Sequence, residues 1–360
     1  ESIESGNFIV TNCLEKSNVF IVAVPTPFKG DHEPDLSFVK SAVASIAPLL
    51  EKGNIVILES TIPVGSTEKM QELMASLRPD LCFPKFNNEA LNADISVAYC
   101  PERVLPGKVI RELVVNDRII GGLSEKCSKA AIEVYSIFVD GECFVTNART
   151  AEMSKLAENA SRDVGIAFAN ELSIICEELD INVWELIRLA NQHPRVDILQ
   201  PGPGVGGHCV AVDPWFIVSK SPKGAKLIRE AREINNEKPN WVLQQVRLVI
   251  EHILRNDQSK NISEISIACY GLSFKSNIDD LRESPALLIA QKLIETHPGK
   301  VLFVEPHIEK LPPDLRGTLV SDLDVAFSEA EIHLLLVDHD IFKTRKPIKG
   351  KIIDTRGIWT

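Results

Sequence analysis

Short β-branched runs alternate with amphipathic segments at both ends of the chain, and this alternation limits the fold more than any other feature of the sequence. Such runs are typical of buried strands, and strands that alternate with helices predict βαβ units and a mainly parallel sheet. The predicted strands of the first part lie in 18–27, 54–67, 95–104, 117–122 and 143–146. Those of the last part lie in 264–271, 300–306, 331–338 and 350–357, with a helix at 284–297.

The middle of the chain lacks this alternation and has helical apolar spacing instead. Its predicted helices span 150–179, 183–191 and 222–255. The whole pattern predicts an α/β fold in which two Rossmann-like doubly wound domains are joined by a central helical domain. The predicted domains are 1–147, 148–256 and 257–360.

The first domain is predicted to be incomplete. A dinucleotide-binding sheet usually opens with a strand, a G-x-G-x-x-G turn and a helix. No such turn precedes residue 18. The sequence therefore predicts that the chain enters this domain partway through.

Composition and charge exclude several classes of protein. With 360 residues, 44% of them hydrophobic and 25% charged, the chain has the composition of a globular protein of two or three domains. Its net charge of −11 disfavours nucleic-acid binding, although a local basic pocket for a phosphorylated ligand is compatible with it. No apolar run is long enough for a membrane span and there is no secretory signal, so we expect a cytoplasmic protein.

One cysteine lies in an unusual setting, the stretch "GPGVGGHCVAVDP" at 202–214. Cys209 could fill a core, bind a metal, form a disulfide or act as a nucleophile. None of the eight cysteines forms a C-x-x-C pair, which disfavours zinc, and a disulfide framework is not expected in a long chain without a signal. The glycines allow close backbone approach to a ligand, and Asp213 is near enough to act on a water, so a nucleophile is favoured over core packing.

A polar stripe precedes this cysteine on the first central helix. Lys155, Asn159 and Arg162 are spaced i, i+4, i+7 and share one helical face. A solvated face would give the same pattern. Lysine and asparagine also supply the donors that stabilise a developing oxyanion, and both interpretations stay open at this point.

Several polar side chains follow predicted strands, where ligands bind in open α/β sheets. Thr26 in "VPTP" and Thr61 in "STIPVG" occupy such positions, although threonine and proline are also common in turns. Ser66 or Thr67 is predicted to cap the helix that follows. Arg103, in "CPERVLPG", could face a cleft or pair with Glu102 in solvent.

Two further segments carry candidate ligands. Lys275 and Arg282 lie between a predicted strand and a helix that opens at Ser284–Pro285, where phosphate could bind. His193 and Arg195 lie just before the glycine-rich stretch. No second His or Cys stands at ligand spacing from His193, so metal binding is not expected there.

Together these segments resemble the nucleotide-sugar 6-dehydrogenases of the UDP-glucose/GDP-mannose 6-dehydrogenase family. The resemblance runs in order from about residue 5 to 360. It rests on "VPTP", "STIPVGSTEKM", "YCPERVLPG", "TAEMSKLAENASRDV", "NVWELIRLANQHPRV", "QPGPGVGGHCVAVDPWF", "GLSFKSNIDDLRESP" and "LLVDH". The cysteine stretch with its helix partners is highly specific, whereas "VPTP" alone is not.

The resemblance implies an NAD-dependent four-electron oxidation of a sugar C6 alcohol to a carboxylate. Cys209 would form a thiohemiacetal and then a thioester, Lys155 and Asn159 would hold the C6 oxygen, and Asp213 would orient the hydrolytic water. The family has a lysine just before this aspartate and often a serine before the cysteine. Here Val212 and His208 stand there, which favours the UDP-N-acetyl-D-mannosamine branch, whose uronate product enters surface polysaccharides.

The resemblance also assigns ligands and partners. It implies NAD bound by the first domain, the UDP-sugar bound by the last, no metal, and a homodimer or higher homo-oligomer joined through the central helices. Thr26, Thr61 and Arg282 would contact NAD. The UDP-sugar would contact Arg103, Val104, Lys155, Asn159, Arg162, His193, Arg195, Gly206, Phe274, Lys275 and Arg356.

Two alternatives remain open at this point. The chain could carry out the same oxidation on UDP-glucose or UDP-N-acetylglucosamine. It could also be an impaired fragment that binds sugar nucleotides without oxidising them. The second alternative follows from the missing glycine-rich turn, because residues 1–360 without that turn are expected to bind NAD poorly.

Overall fold

Two five-stranded, largely parallel sheets form the framework of the computed structural model, which describes residues 8–30, 32–88, 92–104, 109–207 and 209–359. Of the residues singled out above, His208 and the "LPG" of the "YCPERVLPG" segment lie outside this described part. The α/β class with two doubly wound sheets is confirmed. The chain divides into two compact units: Glu1–Glu158 with Trp215–Gly224, and Asn159–Pro214 with Ala225–Thr360.

The strands of the first unit are β1 Val19–Val22, β2 Phe28–Lys29, β3 Glu33–Pro34, β4 Ile55–Leu58, β5 Ser96–Tyr99, β6 Arg118–Gly122 and β7 Cys143–Asn147. Five of them form a sheet of order β1-β4-β5-β6-β7, in which only the β5–β6 pair is antiparallel. The other two, β2 and β3, form a separate small ribbon. The helices are α1 Ser37–Ile46, α2 Ser66–Leu77, α3 Val109–Val115 and α4 Glu125–Tyr135.

Burial explains why the inner strands β4 and β5 appear as continuous, mainly apolar runs. Every residue of β4 and of β5 is buried, because a parallel sheet with helices on both faces leaves no solvent side. The helix α1 contributes Val39, Val43 and Ile46 to the same core, at the spacing expected for one helical face.

The helix cap predicted at Ser66 or Thr67 is wrong. Gly65 is the residue before α2, in the left-handed region at φ +84°, and it offers no side chain. The carboxylate of Glu152 accepts hydrogen bonds from the backbone N–H of Gly65 at 2.6 Å and of Thr67 at 2.8 Å. A distant acidic side chain therefore satisfies the orphan N–H groups that a local hydroxyl usually satisfies.

The central helices are α5 Ala148–Glu178, α6 Val183–Ala190, α7 Asp213–Lys220 and α8 Lys226–Asn256. Three were predicted with ends within a few residues, and α7 was not predicted. None of the helices in the described part of the chain is long and apolar enough to cross a membrane.

The strands of the second unit are β8 Ile267–Tyr270, β9 Val301–Val304, β10 Thr318–Leu319, β11 Ile332–Leu335 and β12 Lys351–Asp354. They form a fully parallel sheet of order β10-β9-β8-β11-β12. The helices are α9 Pro285–Thr296, α10 Leu323–Glu329 and α11 Asp340–Lys343. The predicted opening of α9 is confirmed: Ser284 caps it through its hydroxyl, which accepts from the N–H of Leu287 at 3.2 Å, and Pro285 follows.

Candidate active site

Cys209 lies two residues after the glycine-rich loop 201–207 and four residues before Asp213, where α7 begins. Its carbonyl accepts hydrogen bonds from the N–H of Val212 at 3.1 Å and of Asp213 at 2.9 Å, which turns the chain into that helix. The Cys209 residue is exposed, so it does not fill a core, and none of the eight cysteines forms a disulfide. No group of three or more His, Cys, Asp or Glu side chains within the described ranges could hold a metal ion. An accessible thiol is what a nucleophile requires.

Asp213 and Asn159 meet next to this turn. The Nδ2 of Asn159 donates to Oδ2 of Asp213 at 2.5 Å, and Asp213 is only 4% exposed. Hydrogen bonds to a buried carboxylate are among the stronger ones in proteins. The amide nitrogen carries two hydrogens, so this bond leaves Asn159 a second N–H for a substrate oxygen.

Lys155 lies one helical turn before Asn159 in α5 and is half-buried. Their four-residue spacing places both on one face of that helix, as predicted. Arg162, further along α5, is exposed.

Arg282, predicted as an NAD contact, lies near Asp280 and Cys209. Asp280 holds its guanidinium through hydrogen bonds of 2.6–3.1 Å, and this acceptor raises the pKa of Arg282 above its usual value, with a smaller electrostatic contribution from Cys209. Arg282 and Cys209 are therefore within electrostatic range of each other. The sequence offered no signal for this proximity, since the two residues are far apart in the chain.

The glycines of the loop are required by close contacts within the protein. A Cβ on Gly206 would lie 2.4 Å from the carbonyl oxygen of Glu283 and 2.6 Å from Pro285. A Cβ on Gly207, which has φ +84°, would lie 2.9 Å from the Phe274 ring. The segment that leads into α9 therefore packs directly on the loop.

Arg356 contacts the beginning of the same loop. Its Nη2 and Nε donate to Oδ1 of Asp338 at 2.7 and 2.9 Å, and a Cβ on Gly202 would lie 2.5 Å from its Nη1. A small cavity of about 30 Å³ lies here. It is bordered by Pro203, Gly204, Phe274, Lys275, Asp338 and Arg356, among others. The loop, Phe274, Lys275 and Arg356 are thus brought together as predicted, whereas their roles in binding stay predictions.

The contacts that the structure describes for His193 and Arg195 are local. Both are exposed, and Nδ1 of His193 accepts from the backbone N–H of Arg195 at 3.3 Å. The loop that carries them is tied by Asn191, whose amide exchanges hydrogen bonds with the backbone of Ile198 at 2.8 and 3.0 Å. Their role as substrate ligands stays a prediction.

In the first unit, Thr26 and Thr61 follow the carboxyl ends of β1 and β4, which are adjacent and parallel. The Ser60 hydroxyl joins the two loops: it donates to the carbonyl of Val24 and accepts from its N–H, both at 2.8 Å. Thr26 is buried and Thr61 half-buried. Hydroxyl groups at this edge of a parallel sheet fit the ribose and phosphate groups of a dinucleotide.

Arg103 forms an ion pair, although not with the neighbour considered above. Its guanidinium contacts Glu158 at 2.8 Å, while Glu102 pairs with the buried Arg118 at 3.2 Å. Val104 is half-buried. The roles of Arg103 and Val104 in substrate binding stay predictions.

Three models of one protein family match consecutive segments of the chain. Models of the UDP-glucose/GDP-mannose dehydrogenase family match as follows: the NAD binding domain at 1–139, the central domain at 149–237 and the UDP binding domain at 268–360.

Individual relatives match along nearly the whole chain. A UDP-N-acetyl-D-mannosamine dehydrogenase of Yersinia pestis is 57% identical over 362 residues, which cover 99% of this chain and 86% of that protein. An NDP-N-acetyl-D-galactosaminuronic acid dehydrogenase of Ralstonia nicotianae is 54% identical over 362 residues, which cover 100% and 83% of the two chains. The solved UDP-N-acetyl-mannosamine dehydrogenase of Staphylococcus aureus aligns with a TM-score of 0.82 at 42% identity and covers 99% and 81%.

Proposed function

Because the chain belongs to the UDP-glucose/GDP-mannose dehydrogenase family, we propose that it oxidises UDP-N-acetyl-D-mannosamine at C6 to UDP-N-acetyl-D-mannosaminuronate. The observation that carries this proposal is an exposed Cys209 beside the Asn159–Asp213 pair. This geometry supplies a nucleophile together with the polar groups that an acyl intermediate needs.

The overall reaction converts a primary alcohol, one water and two NAD⁺ into a carboxylate, two NADH and three protons. NAD supplies the acceptor for the two hydrides, one lost before and one after the thiol adduct forms. The Cys209 sulfur bonds to C6 at the aldehyde stage, which retains the reactive aldehyde until it reaches the acyl level. Water then adds to C6, the C6–S bond breaks, and the sulfur leaves as a thiolate.

The neighbours of Cys209 have separate roles in this proposal. Asn159, with Lys155 on the same face of α5, donates hydrogen bonds to the C6 oxygen as negative charge develops there. Asp213, held in place by Asn159, orients the hydrolytic water and accepts its proton.

The two ligands are assigned to different groups of residues. Thr26 and Thr61 would hold NAD at the edge of the first sheet. Gly206, Phe274, Lys275 and Arg356 would bind the UDP-sugar. For the last three this agrees with the match of 268–360 to a UDP binding domain, whereas Gly206 lies in the segment that matches the central domain. The resemblance alone supports Arg103, Val104, Arg162, His193 and Arg195 as further substrate contacts, Arg282 as an NAD contact, and a homo-oligomer.

The 54% identity to the Ralstonia nicotianae enzyme indicates an N-acetylgalactosamine nucleotide as the main alternative substrate for this chain. The experiment compares UDP-N-acetylmannosamine with the UDP derivatives of N-acetylgalactosamine, N-acetylglucosamine and glucose. NADH and uronate are both measured. We expect the highest kcat/KM with UDP-N-acetylmannosamine and two NADH per uronate. Preference for another sugar, or UDP-sugar binding without NADH formation, would overturn the proposal.

A further inference from the structure

A chain of buried amides holds the beginning of the glycine-rich loop. The backbone N–H of Gly202 donates to Oδ1 of Asn170 on α5 at 2.9 Å. The Nδ2 of Asn170 donates in turn to Oδ1 of Asn235 on α8 at 2.8 Å. Asn170 and Asn235 are both almost fully buried, so these bonds do not compete with solvent.

This chain ends at a buried ion pair. Asn235 Nδ2 donates to Oδ1 of Asp163 at 2.8 Å and to its backbone carbonyl at 3.0 Å. Arg232 donates to the same Oδ1 at 2.6 Å, and neither charged residue is more than 1% exposed. The carboxylate is thus fixed by a cation from the same helix that carries Asn235.

The charge of Asp163 determines how both amides point. A side-chain amide donates on one side and accepts on the other, whereas a carboxylate only accepts. Asn235 must therefore turn its NH₂ toward Asp163 and its oxygen toward Asn170. Asn170 must then turn its NH₂ toward Asn235, which leaves its oxygen for the N–H of Gly202. The buried charge of Asp163 thereby orients the Oδ1 acceptor of Asn170 through the amide of Asn235.

The rest of the loop has little freedom to compensate. A Cβ on Gly204 would lie 2.9 Å from Pro285, 3.3 Å from the carbonyl of Asn235 and 3.3 Å from Pro239. The loop is therefore packed between α8 and the start of α9 while Asn170 fixes its first residue. Cys209 follows seven residues after that point.

We propose that Asn170 is a positioning residue for Cys209, oriented by Asn235 and the Asp163–Arg232 pair. It acts through Gly202 on the loop that carries the nucleophile and contacts the UDP-sugar. The inference rests on the proposed function, because it takes Cys209 to be the nucleophile. The geometry of the loop itself does not depend on which sugar is oxidised.

The test compares Asn170→Leu and Asn235→Leu with the control Ser173→Ala. Ser173 lies one turn after Asn170 and is buried; its hydroxyl donates to the Asn170 carbonyl at 2.6 Å and accepts from Nζ of Lys238, so its hydrogen bonds run within the helices and not to the Gly202 N–H. Both leucine variants leave a buried polar group without its partner, and we expect kcat/KM for the UDP-sugar to fall about tenfold or more. We expect the control to lower Tm while kcat/KM stays within about twofold of wild type.

A second measurement does not depend on turnover. The rate at which iodoacetamide alkylates Cys209, followed by peptide mass spectrometry, reports the placement of the thiol. We expect a change of about threefold or more in both leucine variants and none in Ser173→Ala. In the turnover assays, KM for NAD is expected to stay unchanged in both leucine variants. An unchanged KM separates an effect on loop placement from a general loss of structure.

The outcomes are distinguishable. Folded Asn170→Leu with wild-type kcat/KM and alkylation rate would overturn the inference, as would an equal loss in Ser173→Ala. A wild type that oxidises none of the UDP-sugars would overturn the proposed function, while the alkylation rates would still decide the inference. If Asn170→Leu does not fold, Asn170→Ser, whose hydroxyl is too short to join Gly202 to Asn235, takes its place in both measurements.

Discussion

Asp213→Asn isolates the last chemical step of the proposed reaction. Asparagine has nearly the same shape, and its oxygen can still accept the 2.5 Å hydrogen bond from Asn159. The substitution removes the carboxylate charge and the ability to accept a proton from water. Because Asp213 is only 4% exposed, bulk water does not readily replace it. Because asparagine keeps the shape and the hydrogen bond from Asn159, we expect the fold and UDP-sugar binding to be retained.

The expected loss is that of one general base. Such groups contribute about 10²–10⁴-fold, which corresponds to about 3–5 kcal/mol in the activation barrier. In the proposed scheme Asp213 acts on the hydrolytic water and not on the alcohol proton that is lost in the first oxidation, and both hydrides leave before this water attacks. Formation of the thioester should therefore stay fast while steady-state turnover slows by the full factor.

The assay is rapid mixing of the variant with UDP-N-acetylmannosamine and excess NAD, followed through NADH absorbance. We expect a burst of two NADH per active site, then slow turnover, with an acyl adduct on Cys209 in the intact mass of the quenched protein. Cys209→Ser is the control for the adduct. If the variant shows no burst and its first hydride transfer is slowed as much as turnover, then Asp213 does not act in hydrolysis.

Two further predictions concern packing and burial. Gly207→Ala should lower kcat/KM about tenfold or more, because a positive φ costs alanine about 1–2 kcal/mol and its Cβ would lie 2.9 Å from Phe274. Gly53→Ala, at φ +92° with nothing within 4 Å, is the matched control and should affect Tm alone. Burial lowers the pKa of Lys238 from 10.5 to about 7, so its destabilising effect is complete below pH 7 and disappears as pH rises toward 10.5. Lys238→Met should thus raise the free energy of unfolding most at and below pH 7. The gain should shrink by about 1.4 kcal/mol per pH unit between pH 7 and 10.5, and a pH-independent gain would contradict this.

The sequence predicted those parts of the fold that periodicity determines. Buried parallel strands such as β4 and β8 appear as continuous apolar runs, and the long helices α5 and α8 have apolar residues at helical spacing. Elements held by tertiary contacts were not predicted. The strand β10 is an example, because a two-residue strand is too short to show a periodic pattern. The cap of α2 was assigned wrongly for a related reason: its acceptor, Glu152, is 85 residues from Thr67 in the chain.

The candidate site shows the same division. Cys209, Asn159 and Asp213 could be singled out by residue type and local setting. The bond between Asn159 and Asp213 joins residues 54 positions apart, so only the three-dimensional structure reveals it. Asn170 was missed altogether, because an asparagine within an amphipathic helix looks like any other polar residue until its buried hydrogen bond to Gly202 is seen.

In the proposed reaction Cys209 carries the acyl intermediate. The most direct test incubates wild type and Cys209→Ser with UDP-N-acetylmannosamine and NAD and measures the rate of uronate formation. We expect wild type to form uronate with two NADH each, whereas the serine variant, whose hydroxyl is a far weaker nucleophile, forms it at least about a hundredfold more slowly. Uronate formed equally fast by both proteins would show that Cys209 is not the nucleophile.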